Sequence, residues 1–414
     1  MKTETGRGLN LSFEGAPARV LETAPASGRV AYLGADYPGL RVELLVEQGE
    51  AVAIGTPLCR DRRRKEIVFC ASTNGIVADI VIGARRHVTA IIISPADDGT
   101  PQSDIRAAPA DTPIRALMLQ SGLWPALRTR PFDRIPDPDS TPDAIFVTAI
   151  DTAPHAPDPA FVLAERGEDF ARGTRALNHL TEGPVFICQS ARTPLVQAAE
   201  QLIPVRWAGP HPAGLVGTHV ARLFPLKDSR VIWHINYQDV IALGTLIATG
   251  QPDPLRTITL GGPGLRNPAY RRVPLGTDLH ELLRPNLTAG QKLILSGSPL
   301  SGRESQYLSR YHLQASVRDA PPEKSRHWLV EALNKVACPA PFIPTQALEQ
   351  ALGPDLPATP LLRALSIGDA DRALQLGCLH LGEEDLALAS YVTGGITDFG
   401  RRLRVVLNML EAGS

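Results

Sequence analysis

Cysteine occurs in this chain without the pairings that cysteine chemistry needs. The five residues, Cys59, Cys70, Cys188, Cys338 and Cys378, are scattered, and no C-x-x-C or comparable ligand pair exists. That spacing argues against an iron–sulfur or structural zinc site and leaves the cysteines as small hydrophobes in a core. Long apolar runs are missing as well. The longest, "VTAIIIS" and "DVIALGTLIATG", fall well short of the ~20 residues that cross a bilayer, so no direct membrane span is expected. The first residues, "MKTETGRGLNLSFEG", lack the continuous apolar core of a secretory signal, and the expectation is a cytoplasmic chain without disulfides. An excess of one charge is absent too: 42 Lys and Arg stand against 43 Asp and Glu, a net charge of -1 that gives no field to gather nucleic acid. No repeat of solenoid length is evident.

Glycine is missing where a nucleotide-binding chain would need it. The stretch "SGLWPALRTRPFD" (121–133) begins like a phosphate loop, with Ser-Gly-Leu, and then continues with Trp124, Pro125, Leu127, Arg128, Arg130, Pro131 and Phe132. Backbone N–H groups close on an anion only where side chains stay out of the way, so this loop reads as a filled cradle.

What is present is a chain of 414 residues, 43% hydrophobic and 21% charged, long enough for several packed domains. Residues 29–95 read as short strands punctuated by Gly49, Gly55, Pro57, Asn74-Gly75 and Gly83, with Leu40, Val42, Leu44 and Val46 alternating on one strand. They resemble the biotinyl/lipoyl-like barrel-sandwich. Lys65 sits near a carrier-lysine position, but its flank "DRRRKEIV" reads as a solvated charged hairpin, with a modified carrier as the alternative. From 110 to 255, apolar strands ("AIFVTAI", "PVFICQS", "LIPVRWAG", "RVIWHIN") alternate with helical stretches, which predicts a Rossmann-like α/β layer with a mainly parallel sheet. Residues 256–318 suit a β-grasp module with Thr277 as helix cap, and the tail is helical, with Leu403, Val406, Leu407 and Leu410 on one stripe. The predicted fold class is therefore α+β multidomain. Its expected domains are 1–108 (N-terminal segment and barrel), 109–255 (α/β), 256–320 (β-grasp, SLBB-like) and 321–414 (helical).

Candidate chemistry concentrates in two segments. "GPHPAGLVGTHV" packs His211, Gly214, Gly217 and His219 before a helix, and "WHINYQD" places Trp233, His234, Tyr237 and Asp239 at a strand end, where α/β folds seat ligands. The two histidines could meet a quinone carbonyl or a metal, but their spacing matches no metal motif, and a turn residue plus a helix-interior residue is the plainer account. "GSPLSG" lacks a nucleophile elbow, "GGPGL" reads as a β-turn, and Glu383-Glu384 read as charges that offset a helix dipole.

The stretches "SGLWPALRTRPF", "AIFVTAIDTAPHAPDP", "GPHPAGLVGTHV", "WHINYQDVIALGTL", "SGSPLSG" and "LGCLHLGEEDLAL" together resemble the NqrA family, a subunit family of the bacterial sodium-translocating NADH:quinone oxidoreductase, in sequence order along nearly the whole chain. That family is similar in fold to the flavin-bearing NADH-oxidising subunit of complex I and to the C subunit of the Rnf complex. In those relatives a glycine-dense loop, a Gly-Glu pair and C-x-x-C ligands stand where this chain has "SGLWPALRTRPF", "PAGLVGT" and a tail without a cysteine pair. The resemblance implies a cytoplasmic accessory subunit, peripheral at the inner face of the membrane and seated on the membrane-embedded B subunit. It further implies no FMN and no iron–sulfur centre, and an interaction with ubiquinone. Trp124, Arg128, Arg130, His211, His234 and Tyr237 are the candidate quinone contacts; no catalytic and no metal-binding residue is assigned. Departures from the family pattern, Ala389 and Thr393 in place of two tail cysteines and no Pro-Gly-Lys in "YVTGGITDFG", leave a divergent paralogue as one alternative. A flavin-dependent NADH-oxidising enzyme is the other.

Overall fold

The computed structural model describes residues 1–22, 28–84, 87–95, 112–196, 198–199, 201–227, 230–321 and 342–413. The first two strands, β1 (Lys2–Glu4) and β2 (Ala18–Glu22), do not join the barrel that follows them. β1 pairs in parallel with the edge of the α/β sheet, and β2 with the edge of the β-grasp sheet, so the N-terminal segment staples two later domains together.

The barrel is built as the turn spacing predicts. One sheet orders β3 (Val30–Leu33), β9 (Val88–Pro95), β8 (Gly75–Ile82) and β5 (Ala51–Val52); a second orders β4 (Val42–Leu44), β6 (Pro57–Asp61) and β7 (Val68–Cys70). Alternation puts Val77, Ile91 and Ile93 inside, each 0–1% exposed, while Ile76 and Ile82 face out. Lys65 is exposed on the turn between β6 and β7, beside Arg64, which pairs with Asp137.

The α/β sheet has the order β1, β13 (Leu202–Ala208), β12 (Val185–Ser190), β11 (Ala144–Ala149), β14 (Ile232–Asn236) and β10 (Arg128–Arg130). All pairings are parallel except β10 against β14. The central strand β11 is apolar except for Thr148 because both its faces are covered. Ile145 and Val147 join the larger core shared with the barrel, and Ala144 and Phe146 join a second core with Trp207 and Val220. Helices α1 (Ile114–Gln120), α2 (Pro159–Leu163), α3 (Gly167–Leu177), α4 (Val216–Leu223) and α5 (Tyr237–Thr249) complete this layer.

The β-grasp sheet orders β18 (Arg303–Glu304), β17 (Lys292–Ser296), β19 (Gln314–Asp319), β15 (Leu255–Gly261), β16 (Ala269–Pro274) and β2. Its helix α6 (Leu279–Leu283) is capped by Asp278, whose carboxylate accepts from the N–H groups of His280 and Glu281. Thr277, the expected cap, instead donates its hydroxyl to the Pro274 carbonyl, one residue too early to reach the first turn.

The tail folds around its own apolar core: α7 (Gln346–Glu349), α8 (Ala358–Ile367), α9 (Ala370–Gln375), α10 (Ala387–Val392) and α11 (Phe399–Ala412). The predicted α11 stripe is the buried face, with Leu403, Val406 and Leu407 at 0% exposure and Leu410 partly covered. Asp398 caps the helix by accepting from the Arg401 N–H. Cys59, Cys188 and Cys378 are buried thiols, Cys70 is partly buried, and Cys338 lies outside the described residues. No described helix is long and apolar enough to cross a membrane.

Candidate functional site

The stretch that lacks glycines forms an interior wall. After α1, Gly122 takes a left-handed turn (φ +71°) against Cys70 of the barrel, where a Cβ would come within 2.6 Å of the sulfur. Trp124 then enters the core at 0% exposure. Its Nε1 donates to the Pro136 carbonyl at 2.9 Å, and its ring meets Trp233 edge to face at 5.4 Å. Strand β10 follows, and Phe132 and Asp133 adopt positive φ (+73° and +59°), a turn that aims the Asp133 carboxylate back at its own strand.

Arg130 is the centre of what this wall holds. Fully buried, it touches Asp133, lies 2.9 Å from Nε2 of His234 in the middle of β14, and donates to Glu384 of the helical tail at 2.9 Å. Arg128, half-buried, pairs with Asp133 and stacks its guanidinium 4.4 Å over Tyr311 from the β-grasp domain. Arg404 of α11 holds Glu383 at 2.6 and 2.8 Å and donates to the Phe132 carbonyl at 2.8 Å. Glu384 thus forms an ion pair across the domain junction and Glu383 one within the tail, besides standing at a helical first turn. Oxygens of Asp133, Glu383 and Glu384 converge within 4.8 Å of one another, a spacing a metal could use. Three arginines already supply the positive charge there.

The N-terminus of α4 is occupied from within the chain. Asp385 accepts from the Gly217 N–H at 3.1 Å and from the Gly382 N–H at 2.8 Å, so a carboxylate of the tail sits where a helix N-terminus favours an anion. A Cβ on Gly217 would come 2.6 Å from that carboxylate, which explains the glycine. Burial, and then the Glu384 charge, push the Asp385 carboxyl up from 3.8 to about 7, against the pull of Arg130 at 3.9 Å. Burial also opposes the charge of Glu384, but Arg130 and Arg128 outweigh it and keep that carboxyl below its ordinary range.

A raised folded-state pKa means that Asp385 contributes stability below about pH 4 and loses that contribution as pH rises to about 7. Asp385→Asn should therefore gain on the wild type as pH climbs from about 5 to about 8, read as urea midpoints across that range. A difference that stays constant with pH would refute the assignment.

Of the six candidate contacts, the structure brings Arg128, Arg130 and His234 into one network, with Trp124 packed behind it. His211 stands apart, its Nδ1 3.2 Å from the Thr152 hydroxyl, and burial lowers its pKa to about 4. Tyr237 is 1% exposed at the start of α5, its hydroxyl accepting from Gln238. Burial and then the neighbouring arginines drive the His234 pKa well below its ordinary value, so the imidazole there is neutral near pH 7. His219 lies inside α4, its ring tilted against Trp207 at 4.4 Å, with Nε2 on the Ala213 carbonyl. Of the residues that complete the network, Glu384, Asp385, Arg404 and Tyr311 carry no local signal, since their partners lie up to 272 positions away, whereas Asp133 meets Arg130 within the same turn.

Comparison with known proteins matches the barrel, the α/β layer and the β-grasp module to family models. Family models described as the NqrA N-terminal barrel-sandwich hybrid domain, the NqrA second alpha/beta domain and the NQRA C-terminal domain match residues 3–96, 110–252 and 257–306. Two chains of NAD+-reducing [NiFe]-hydrogenase, in the H2-reduced and air-oxidized states, overlap at only 13% and 12% identity and TM-scores of 0.35 and 0.37, too low to establish a common fold. Full-length relatives are much nearer. The NqrA protein of the Na(+)-translocating NADH-quinone reductase of Rhodopirellula baltica is 36% identical over 99% of this chain and 98% of its own length. Its counterparts in Pseudomonas aeruginosa and Neisseria meningitidis are each 38% identical over 98% of both chains. With its barrel, α/β layer and SLBB module in that order, the chain belongs to the NqrA family of Na(+)-translocating NADH-quinone reductase subunits.

Proposed function

We propose that the chain is a cytoplasmic accessory subunit of a sodium-translocating NADH:quinone reductase, peripheral at the inner face of the cell membrane and seated on the membrane-embedded B subunit. In this reading it contributes to assembly and to contact with ubiquinone, and it carries no flavin or iron–sulfur centre of its own. The observation that carries the reading is the double filling of the nucleotide-type positions. Trp124 fills the space at the loop after α1, and the Asp385 carboxylate takes the Gly217 N–H at the N-terminus of α4, so both places where a phosphate would sit are occupied from within the chain. In the tail, Ala389 is packed at 0% exposure inside α10 and Thr393 closes that helix by donating its hydroxyl to the Ala389 carbonyl, so both positions serve the helix.

Of the six quinone candidates, Arg128 is the one a headgroup would reach first, since its side chain keeps 16% exposure beside Tyr311 while the others lie deeper. Arg128→Ala should weaken quinone-analogue binding to the assembled complex about tenfold, the loss of one charge-assisted hydrogen bond, and leave the complex intact. Unchanged affinity would remove Arg128 from the site. The accessory-subunit reading itself is tested by purification from the native host. The expected result is co-purification with the membrane subunits and, for the isolated chain, no visible flavin absorbance and no bound iron. Stoichiometric flavin would overturn it in favour of an NADH-oxidising enzyme, and recovery with a different membrane partner in favour of a paralogue.

A further inference from the structure

A cleft of about 60 Å³ opens where three domains meet. The barrel contributes Ser72, the loop after α1 contributes Ser121, and the β-grasp domain contributes Arg256 and Arg310. One water needs roughly 10–15 Å³ of such space, so the cleft admits several waters or one small anion and is too small for a flavin or a quinone ring.

Its charge is unbalanced. Arg256 is 2% exposed and the Arg310 side chain 10%, and both rely on a single carboxylate: Asp239 accepts from Arg256 at 2.6 Å and from Arg310 at 2.9 Å. The other acid lining the cleft, Asp253, is paired with Arg166 at 2.8 Å. Arg256 Nη1 is spent on the Asp253 and Leu255 carbonyls, and its Nε is buried with no acceptor among the described residues. Two guanidinium groups on one carboxylate leave one positive charge without a counter-charge, a costly state for a buried cation.

We propose that this cleft binds a small oxyanion, of the inorganic phosphate or simple carboxylate class, held by Arg256 and Arg310 at the junction of the barrel, α/β and β-grasp domains. The anion supplies the missing negative charge and cross-links the three domains, and it stabilises the fold by mass action as its concentration rises. The site borders the Arg130 network at Tyr311, whose ring lies 5.7 Å from the Arg310 guanidinium and 4.4 Å from that of Arg128, and it does not rest on the proposed function.

The test is isothermal titration of the purified full chain with inorganic phosphate and, in a second arm, with acetate, at ionic strength matched with sodium chloride. Saturable binding at one site is expected, together with a melting temperature that rises with the bound anion and not with chloride. The two arms tell phosphate from carboxylate. Arg256→Met leaves Arg310 and Asp239 as a balanced pair and should weaken binding at least about tenfold. Should that variant not fold, Ser72→Asp places a carboxylate at the rim of the cleft, and it should abolish binding of added anion while the chain keeps its secondary structure. Absence of saturable binding of both anions, or wild-type affinity in the folded variants, would overturn the proposal.

Discussion

Arg130→Met is expected to destabilise the folded chain by about 3–5 kcal/mol, because it removes one partner of a buried ion network and leaves the others charged. Arg130 is 0% exposed and is shared by Asp133, Glu384 and His234. A methionine fills much of the same volume but offers no donor, so the buried Asp133, left with Arg128 and Arg404, and the partly exposed Glu384 each lose a charge partner and are driven towards taking up protons. That uptake makes the loss depend on pH. At about pH 5 carboxyls whose pKa has risen are already protonated in the variant, and the gap to wild type should narrow; at about pH 8 it should be full. Urea denaturation at both pH values measures it. Arg130→Lys should recover only part of the loss, because an ammonium cannot present the planar fork that reaches Asp133 and Glu384 together. Limited proteolysis adds a spatial readout: with the bond from Arg130 to Glu384 gone, the segment around 382–386 should be cut earlier than β11 or α5. A variant within about 0.5 kcal/mol of wild type at both pH values would show that the network is not a structural hub.

How much of this is legible in the sequence depends on the distance between partners. Period and punctuation suffice for local structure: Gly49, Gly55 and Gly83 mark barrel turns, and the α11 stripe is the buried face. The largely apolar run Ala144–Ala149 becomes the central parallel strand. The β-grasp cap falls one residue later than the pattern suggests because Thr277 and Asp278 are both good capping types, and only the three-dimensional turn decides which carboxylate or hydroxyl reaches the helix. The destination of β1 and β2 is not legible at all, since five residues such as Ala18–Glu22 say nothing about which sheet edge they will meet some 250 positions later. The same holds for the candidate site. Arg128, Arg130 and His234 stand out from unusual local runs, whereas Glu384 and Asp385 look like ordinary first-turn acids. Their pairing with Arg130 and with the N-terminus of α4 follows from the tail folding back on the α/β layer. Missing glycines are the more informative signal, because an absence at a loop constrains the backbone whatever the partner.

Trp124→Ala is expected to cost about 3–5 kcal/mol, the range for emptying a buried large aromatic site. The position has little freedom to collapse. Trp233 meets the ring at 5.4 Å, and the Arg115 guanidinium lies over both indoles, 5.3 Å from Trp124 and 5.7 Å from Trp233. The Pro136 carbonyl loses its donor, and Tyr311, which donates to the Pro125 carbonyl next door at 2.9 Å, loses the support of the turn. Trp124→Phe separates the contributions. It keeps most of the packing and drops the Nε1 hydrogen bond, so its cost should be nearer about 1–2 kcal/mol by the usual worth of such a bond and the smaller ring. Denaturant midpoints give the energies, and loss of near-ultraviolet circular dichroism from the paired indoles reports that the Trp124–Trp233 contact itself has gone. The alanine variant also bears on why the loop lacks glycines. A deleted indole leaves an apolar hole walled by Trp233, without the free backbone N–H groups that a phosphate requires, because the loop's own amides stay bonded: Ala126 N–H to the Leu123 carbonyl and Leu127 N–H to the Trp124 carbonyl. Added FMN should therefore fail to restore the lost stability of Trp124→Ala. Rescue by FMN, seen as a recovered midpoint, would mean that the indole alone blocks a cradle that is otherwise intact.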